Sequence, residues 1–425
     1  MRRPLAVIAA GLAAVVSAAV LSSTPVAGAG SQSAVVSDNP VDWTPNVLDG
    51  TVYAIAVVGD EVVAGGNFTR VQAANGGTTY SRPGIFAFSL GTGRISTSFA
   101  PSLDGSVYGL AAGPDNTVYA GGDFTRVNGA SHLGIARLSA SNGAPVAGFS
   151  STVDGGPVTT VAAHGTAVYL GGTFTGVNGT PRPAAARISG TTGALDSGFD
   201  AGLAQPRSGR LRVVKLALTN DGATLALAGT FTRAGNASRV QLALVSAANG
   251  AVRGWYTNAY RQDCDDAYNT YLRGLDFAPD GTYLSVVTTG HHADPNSVCD
   301  SAARFRVTGT GAHNPVWVNR TGGNSLFAVA DTGAAVYVGG HEQWLDNPDG
   351  NKSAGPGAVS RPGIGAINPT TGKALSWNPT RSRGVGVEAL ATYPAGSGYP
   401  GGLLVGSDTD QLGHEYHGRI GAFPL

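Results

Sequence analysis

The chain has 425 residues, with 27 Lys plus Arg against 27 Asp plus Glu, and only 13% of it is charged. No basic block is available to track a phosphate backbone, so nucleic acid is excluded as an expected partner. Gly accounts for 64 residues, a turn-rich composition, yet a hydrophobic fraction of 42% argues for a packed chain rather than a disordered one.

The chain opens with Arg2 and Arg3, runs apolar from Leu5 to Leu21, and then turns to small residues through Ala27, Gly28 and Ala29. This order predicts a secretory signal over residues 1–29. Its removal leaves 25 basic against 27 acidic residues. No later segment is apolar enough to span a bilayer, so the mature form is expected to lack a transmembrane segment and to be secreted, extracellular or held at the cell surface. Residues 30–40 read as a short linker and 41–425 as one repetitive domain.

From residue 41 onward one unit recurs. Its landmark is a Gly-rich strand end followed by Phe-Thr: Val63-Ala-Gly65-Gly66-Asn-Phe68-Thr69, Tyr119-Ala-Gly121-Gly122-Asp-Phe124-Thr125, Tyr169-Leu-Gly171-Gly172-Thr-Phe174-Thr175 and Leu227-Ala-Gly229-Thr-Phe231-Thr232. Eroded copies stand at Gly290-His291-His292, Gly339-Gly340-His341 and Gly406-Ser-Asp408. A second landmark, an aromatic residue, also occurs seven times, at Trp43, Phe99, Phe149, Phe199, Trp255, Trp317 and Trp377. Each unit reads as four short strands, in the second copy Val107–Ala111, Thr117–Gly121, Gly134–Leu138 and Val146–Phe149, with Asn128-Gly129 and Asn142-Gly143 as hairpin turns. The last unit stops at Leu425 one strand short, and the segment Val41–Pro45 precedes the first unit without a partner. The expected fold is all-β: a seven-bladed β-propeller with four-stranded blades, its last blade closed by the N-terminal strand.

The pattern Gly-Gly-x-Phe-Thr-x-Val-Asn-Gly, nearly whole at Gly121–Gly129 and Gly171–Gly179, resembles the delta-60 type repeats of secreted and cell-envelope bacterial β-propellers. The resemblance implies a propeller and export. It carries over no catalytic residue.

Chemically versatile residues collect late in the chain. His291, His341 and Asp408 occupy the slot after the Gly landmark that holds Asn67, Asp123, Thr173 and Thr230 in the earlier units. Equivalent slots imply one sector of one face, and these three residues are candidate metal ligands for Zn or another transition metal. Asp346, Asp349, Asp408 and Asp410 offer oxygens better suited to Ca. His292, Glu342, Trp344 and His417 complete the candidate ligand-binding set, with solvated loops as the alternative reading. Trp344 lies outside the repeated aromatic slot and is a candidate platform for a sugar ring, as are Tyr416, Tyr260, Tyr268 and Tyr271. Arg381 and Arg383 could neutralise an acidic ligand or form ion pairs between units. Cys264 and Cys299 have no competitors, so they are expected to form one disulfide, the alternative being two buried thiols.

No Gly-x-Ser-x-Gly elbow and no phosphate-binding loop occurs. The reading is therefore a secreted binding or surface-association module for polysaccharide or a cell-envelope protein, with no catalytic residue assigned. The alternative is a carbohydrate-active or metal-assisted hydrolase or lyase with a site on the fifth to seventh units.

Overall fold

The computed structural model describes residues 30–261, 264, 268–290, 297–382, 384–396 and 398–425. The expected signal and the candidate residues His291, His292 and Arg383 lie outside the described residues. What is described is all-β, built of repeated small antiparallel sheets. Among the described residues no helix is long and apolar enough to cross a membrane.

Seven larger sheets follow one another along the chain. Their first strands are Val52–Val58, Val107–Gly113, Val158–His164, Val213–Leu218, Leu272–Phe277, Leu326–Asp331 and Val387–Tyr393. Each pairs with a second strand that ends at the Gly landmark, such as Glu61–Gly66 or Thr117–Gly122, and then with a third, such as Ile85–Ser89 or Ile135–Ser139. Among the described residues only sheet five has four strands, Trp317–Arg320 being the outermost. In sheets one to four and six the expected fourth strand is reduced to a single bridge, such as Leu138 with Pro145 or Ile188 with Leu195. In sheet two the reason is local: Pro145 brings no N–H to the ladder, and Gly148, at φ +83°, turns the chain away. The unit is thus three strands plus a departing edge.

The paired glycines have two different steric causes. A Cβ on the first would enter the neighbouring sheet: on Gly65 it would stand 2.6 Å from Val107, on Gly121 2.6 Å from Val158, on Gly171 2.7 Å from Val213, and on Gly406 2.7 Å from Val52. A Cβ on the second would collide with main chain at the start of the unit's own first strand, the carbonyl of Thr51 for Gly66 and of Ser106 for Gly122. The pairing slips by one residue at this place in all seven first strands, a bulge that brings the backbones close.

A three-stranded sheet cannot cover its own two apolar faces, and the cores lie between consecutive sheets. One joins Val63 and Ile85 to Val118 and Leu138; others link sheet three to four through Tyr169 and Leu227, and sheet four to five through Leu244 and Phe305. A further core combines Leu404, Ile420 and Ala422 of sheet seven with Val62 and Phe86 of sheet one. The first strands likewise contact in turn, and that of sheet seven contacts that of sheet one.

The N-terminal segment lies against sheet seven. Ser37 N–H donates to the Pro424 carbonyl at 2.7 Å and Val41 N–H to the Ala422 carbonyl at 2.9 Å. It also takes the role that a next unit plays elsewhere. The Trp255 indole N–H donates to the Arg306 carbonyl and that of Trp317 to Pro369, each in the following unit; that of Trp377 donates to Ser37. Within residues 30–40, Gln32, Val36 and Pro40 are buried and most of the others are exposed.

Candidate functional site

The loop after each Gly landmark leaves amide N–H groups at the start of the first strand in need of acceptors. The landmark slot supplies them. Thr51 N–H donates to Asn67 at 2.7 Å in sheet one, and Ser106 N–H to Asp123 at 2.6 Å in sheet two. In sheet seven Val385 N–H donates to Asp408 Oδ2 at 2.6 Å and Gly386 N–H to Oδ1 at 3.0 Å. Asp408 thus acts as the clamp of its own repeat. His341, in the same slot of sheet six, places Nδ1 3.1 Å from the Val385 carbonyl oxygen and packs edge-on against Phe327. Of the three residues expected to share one sector, His341 and Asp408 meet opposite polar groups of Val385. Among the described residues no group of three or more His, Cys, Asp or Glu is placed to hold a metal ion. The third member of the expected trio, His291, lies outside those residues.

His341, Glu342 and Trp344 line one cavity of about 240 Å³ together with Arg381. The pairing of Trp344–Leu345 with Val359–Ser360 in a short outer hairpin holds Trp344 half-exposed beside it. Arg381 is buried and ties sheet six to sheet seven, donating to the Gly340 carbonyl at 2.6 Å and to Thr409 Oγ1 at 2.5 Å, with Asp408 3.6 Å away. Glu342 is 1% exposed and neither carboxylate oxygen has a hydrogen bond of normal geometry. Burial raises its pKa to about 8; its own amide, the Arg381 charge and the Gly340 amide oppose the rise without cancelling it. The arrangement offers an aromatic face, a carboxyl group able to donate a proton in a hydrogen bond, and a fixed positive charge.

The remaining candidates are dispersed. Asp346 accepts from Asn319 at 2.7 Å and from the Ala374 amide at 3.1 Å, joining strand ends. His417 is buried between Thr44, at 3.1 Å, and Glu415, at 3.3 Å, where it ties the N-terminal segment to sheet seven. Asp410 is exposed. Tyr260 and Tyr271 are buried, whereas Tyr268 and Tyr416 are exposed. Cys264 and Cys299 form the expected disulfide.

A second, larger cavity of about 1240 Å³ is lined by the first strands of all seven sheets. Two charged residues in it, Lys215 and Glu388, were not singled out by sequence reasoning. A usable signal existed: with the repeats in register, Lys215 is the one chargeable residue in its column.

A family model described as a domain of unknown function (DUF5122), beta-propeller, matches residues 113–145 and 168–199. These stretches hold the two most complete copies of the repeat. No curated protein matches the chain. Among solved structures, a crystal structure of the computationally designed Ika8 protein is similar at 12% identity and a TM-score of 0.47, over 89% of this chain and 99% of that one.

Proposed function

We propose that the chain is a seven-bladed β-propeller of the delta-60 repeat type, its last blade joined by the N-terminal segment, and that it is exported and works as a binding module. Closure is supported by the apolar core shared between sheets seven and one and by the hydrogen bonds of Ser37 and Val41. The ligand is a polysaccharide or other cell-envelope component, held at the cavity of His341, Glu342 and Trp344.

The observation that carries this reading is that part-exposed Trp344 lines one cavity with the buried carboxyl of Glu342, whose oxygens lack a hydrogen bond of normal geometry. An indole stacks on the apolar face of a sugar ring, and flanking polar groups hydrogen-bond its hydroxyls. The test is a glycan and cell-wall array probed with the intact protein and with Trp344→Ala. The reading expects retention of a glycan by the wild type and loss of about tenfold or more in the variant. An array on which the two proteins behave alike overturns this placement. A hydrolase or lyase reading draws support from Glu342 as a proton donor with a raised pKa; release of cleaved product from the retained glycan would favour it over binding alone.

A further inference from the structure

The seven bulged first strands put equivalent residues at equivalent depths around the large cavity. The position just after the bulge is Ala54, Gly109, Thr160, Gly274, Ala328 and Ala389 in six sheets, and Lys215 in sheet four. Six small residues leave room at this level, and one ammonium group is added to it. Beyond them runs an aliphatic belt that includes Ile55, Leu110, Leu216 and Leu390.

Lys215 has no hydrogen-bond or ion-pair partner among the described residues; it is part-buried and lines the large cavity. Across the cavity Glu388, the bulge residue of sheet seven, is likewise without a hydrogen bond or a salt bridge within 4 Å. The two feel each other's charge through the cavity without meeting, and Arg212 adds a second positive charge on the lysine side. An ammonium group confined to a cavity wall without a partner loses part of its hydration, which an anionic ligand compensates. At the same end Tyr53 and Tyr108 stand with ring centroids 5.5 Å apart.

We propose that this cavity is a second binding site, separate from the Trp344 pocket, for a small molecule bearing a carboxylate at one end and a hydrogen-bond donor at the other. The carboxylate pairs with Lys215, and the donor, an ammonium or a hydroxyl, reaches Glu388. Two sources share this chemistry: an acidic sugar such as a uronic acid, and a zwitterionic amino acid. The aliphatic belt lowers the polarity around the pair and strengthens it.

The experiment is calorimetric titration of the full chain with galacturonate, glucuronate, neutral galactose and alanine at millimolar concentration. Galacturonate, glucuronate or alanine is expected to bind, and galactose is not. Lys215→Met weakens the bound ligand about tenfold or more. Lys215→Thr, which copies Thr160, serves as a second variant should the first fold poorly. Glu388→Gln separates the sources: it weakens alanine about tenfold and a uronic acid less. An independent readout is acetylation of Lys215 followed by mass spectrometry, which bound ligand slows. Absence of binding by every charged ligand, or equal binding by wild type and both Lys215 variants, overturns the proposal.

Discussion

Sheets one to three and sheets four to seven are made of the same unit but spend their polar residues differently. In the first group nearly every polar landmark residue is occupied by the fold. Asp104 receives the Thr125 hydroxyl at 2.5 Å and the amides of Thr125 and Arg126, and Asp49 does the same for Thr69 and Arg70. Tyr119 and Tyr169 donate to carbonyls of the following sheet. The second group keeps the clamp at Asp408 but carries Glu342 buried without a hydrogen bond of normal geometry, and Lys215 and Glu388 part-buried on the large cavity with none. Sheet one also holds an unpaired oxygen, on Glu61, but Glu61 lines neither cavity, whereas Glu342, Lys215 and Glu388 do, and that marks where ligand chemistry is best sought.

The comparison breaks most easily at the glycines. Gly122→Ala drives a methyl group into the Ser106 carbonyl and is expected to cost about 3 kcal/mol or more. Gly129→Ala meets open space, and its positive φ of +80° costs only about 1 kcal/mol. Urea denaturation of the two variants measures the difference. Equal losses would mean that the Gly landmark serves the turn and not the crowding of sheets.

A smaller effect is expected at Glu342. Its folded pKa is raised from 4.5 to about 8, so the stability that its protonated form contributes is complete below 4.5 and is lost as pH climbs to about 8. Glu342→Gln is neutral at every pH and should gain on the wild type across that window, by on the order of 2 kcal/mol. Thermal unfolding at the two ends of the window reads it. Parallel curves for wild type and variant would place an ionised Glu342 in a working pair with Arg381 and remove the contrast between the two groups of sheets.

The smallest effect sharpens the comparison. If the slot after the Gly landmark is a backbone clamp in both regions, Asp123→Ala and Asp408→Ala should each cost about 1 kcal/mol, with or without a chelator. A chelator-dependent loss confined to Asp408→Ala would restore the metal reading of that position.

Much of the architecture was legible because it repeats. Short apolar runs, Asn-Gly turns and seven copies of two landmarks located the sheets and the aromatic residues that pack between them. The four-strand count was too generous: an apolar run such as Val146–Phe149 looks like a strand, yet Pro145 and Gly148 limit it to a bridge. The candidate site was legible only in part. The column argument brought His341 and Asp408 together, but equivalence cuts both ways, and the same alignment that made Asp408 conspicuous also made it a copy of Asp123. Asp346 and His417 read as ligands by residue type and are joints between strand ends. Lys215 and Glu388 escaped notice because a charged residue inside an apolar strand carries no local motif.

The sequence by itself determined the unit, its repetition and the positions where only glycine fits, since these depend on contacts within a unit or with an identical neighbour. Tertiary structure decided which charges went unpaired, which cavity Trp344 lines and what the segment from Ser37 to Val41 lies against. Those outcomes depend on groups brought together from distant sheets, and burial in such a place sets a cost that no local pattern encodes.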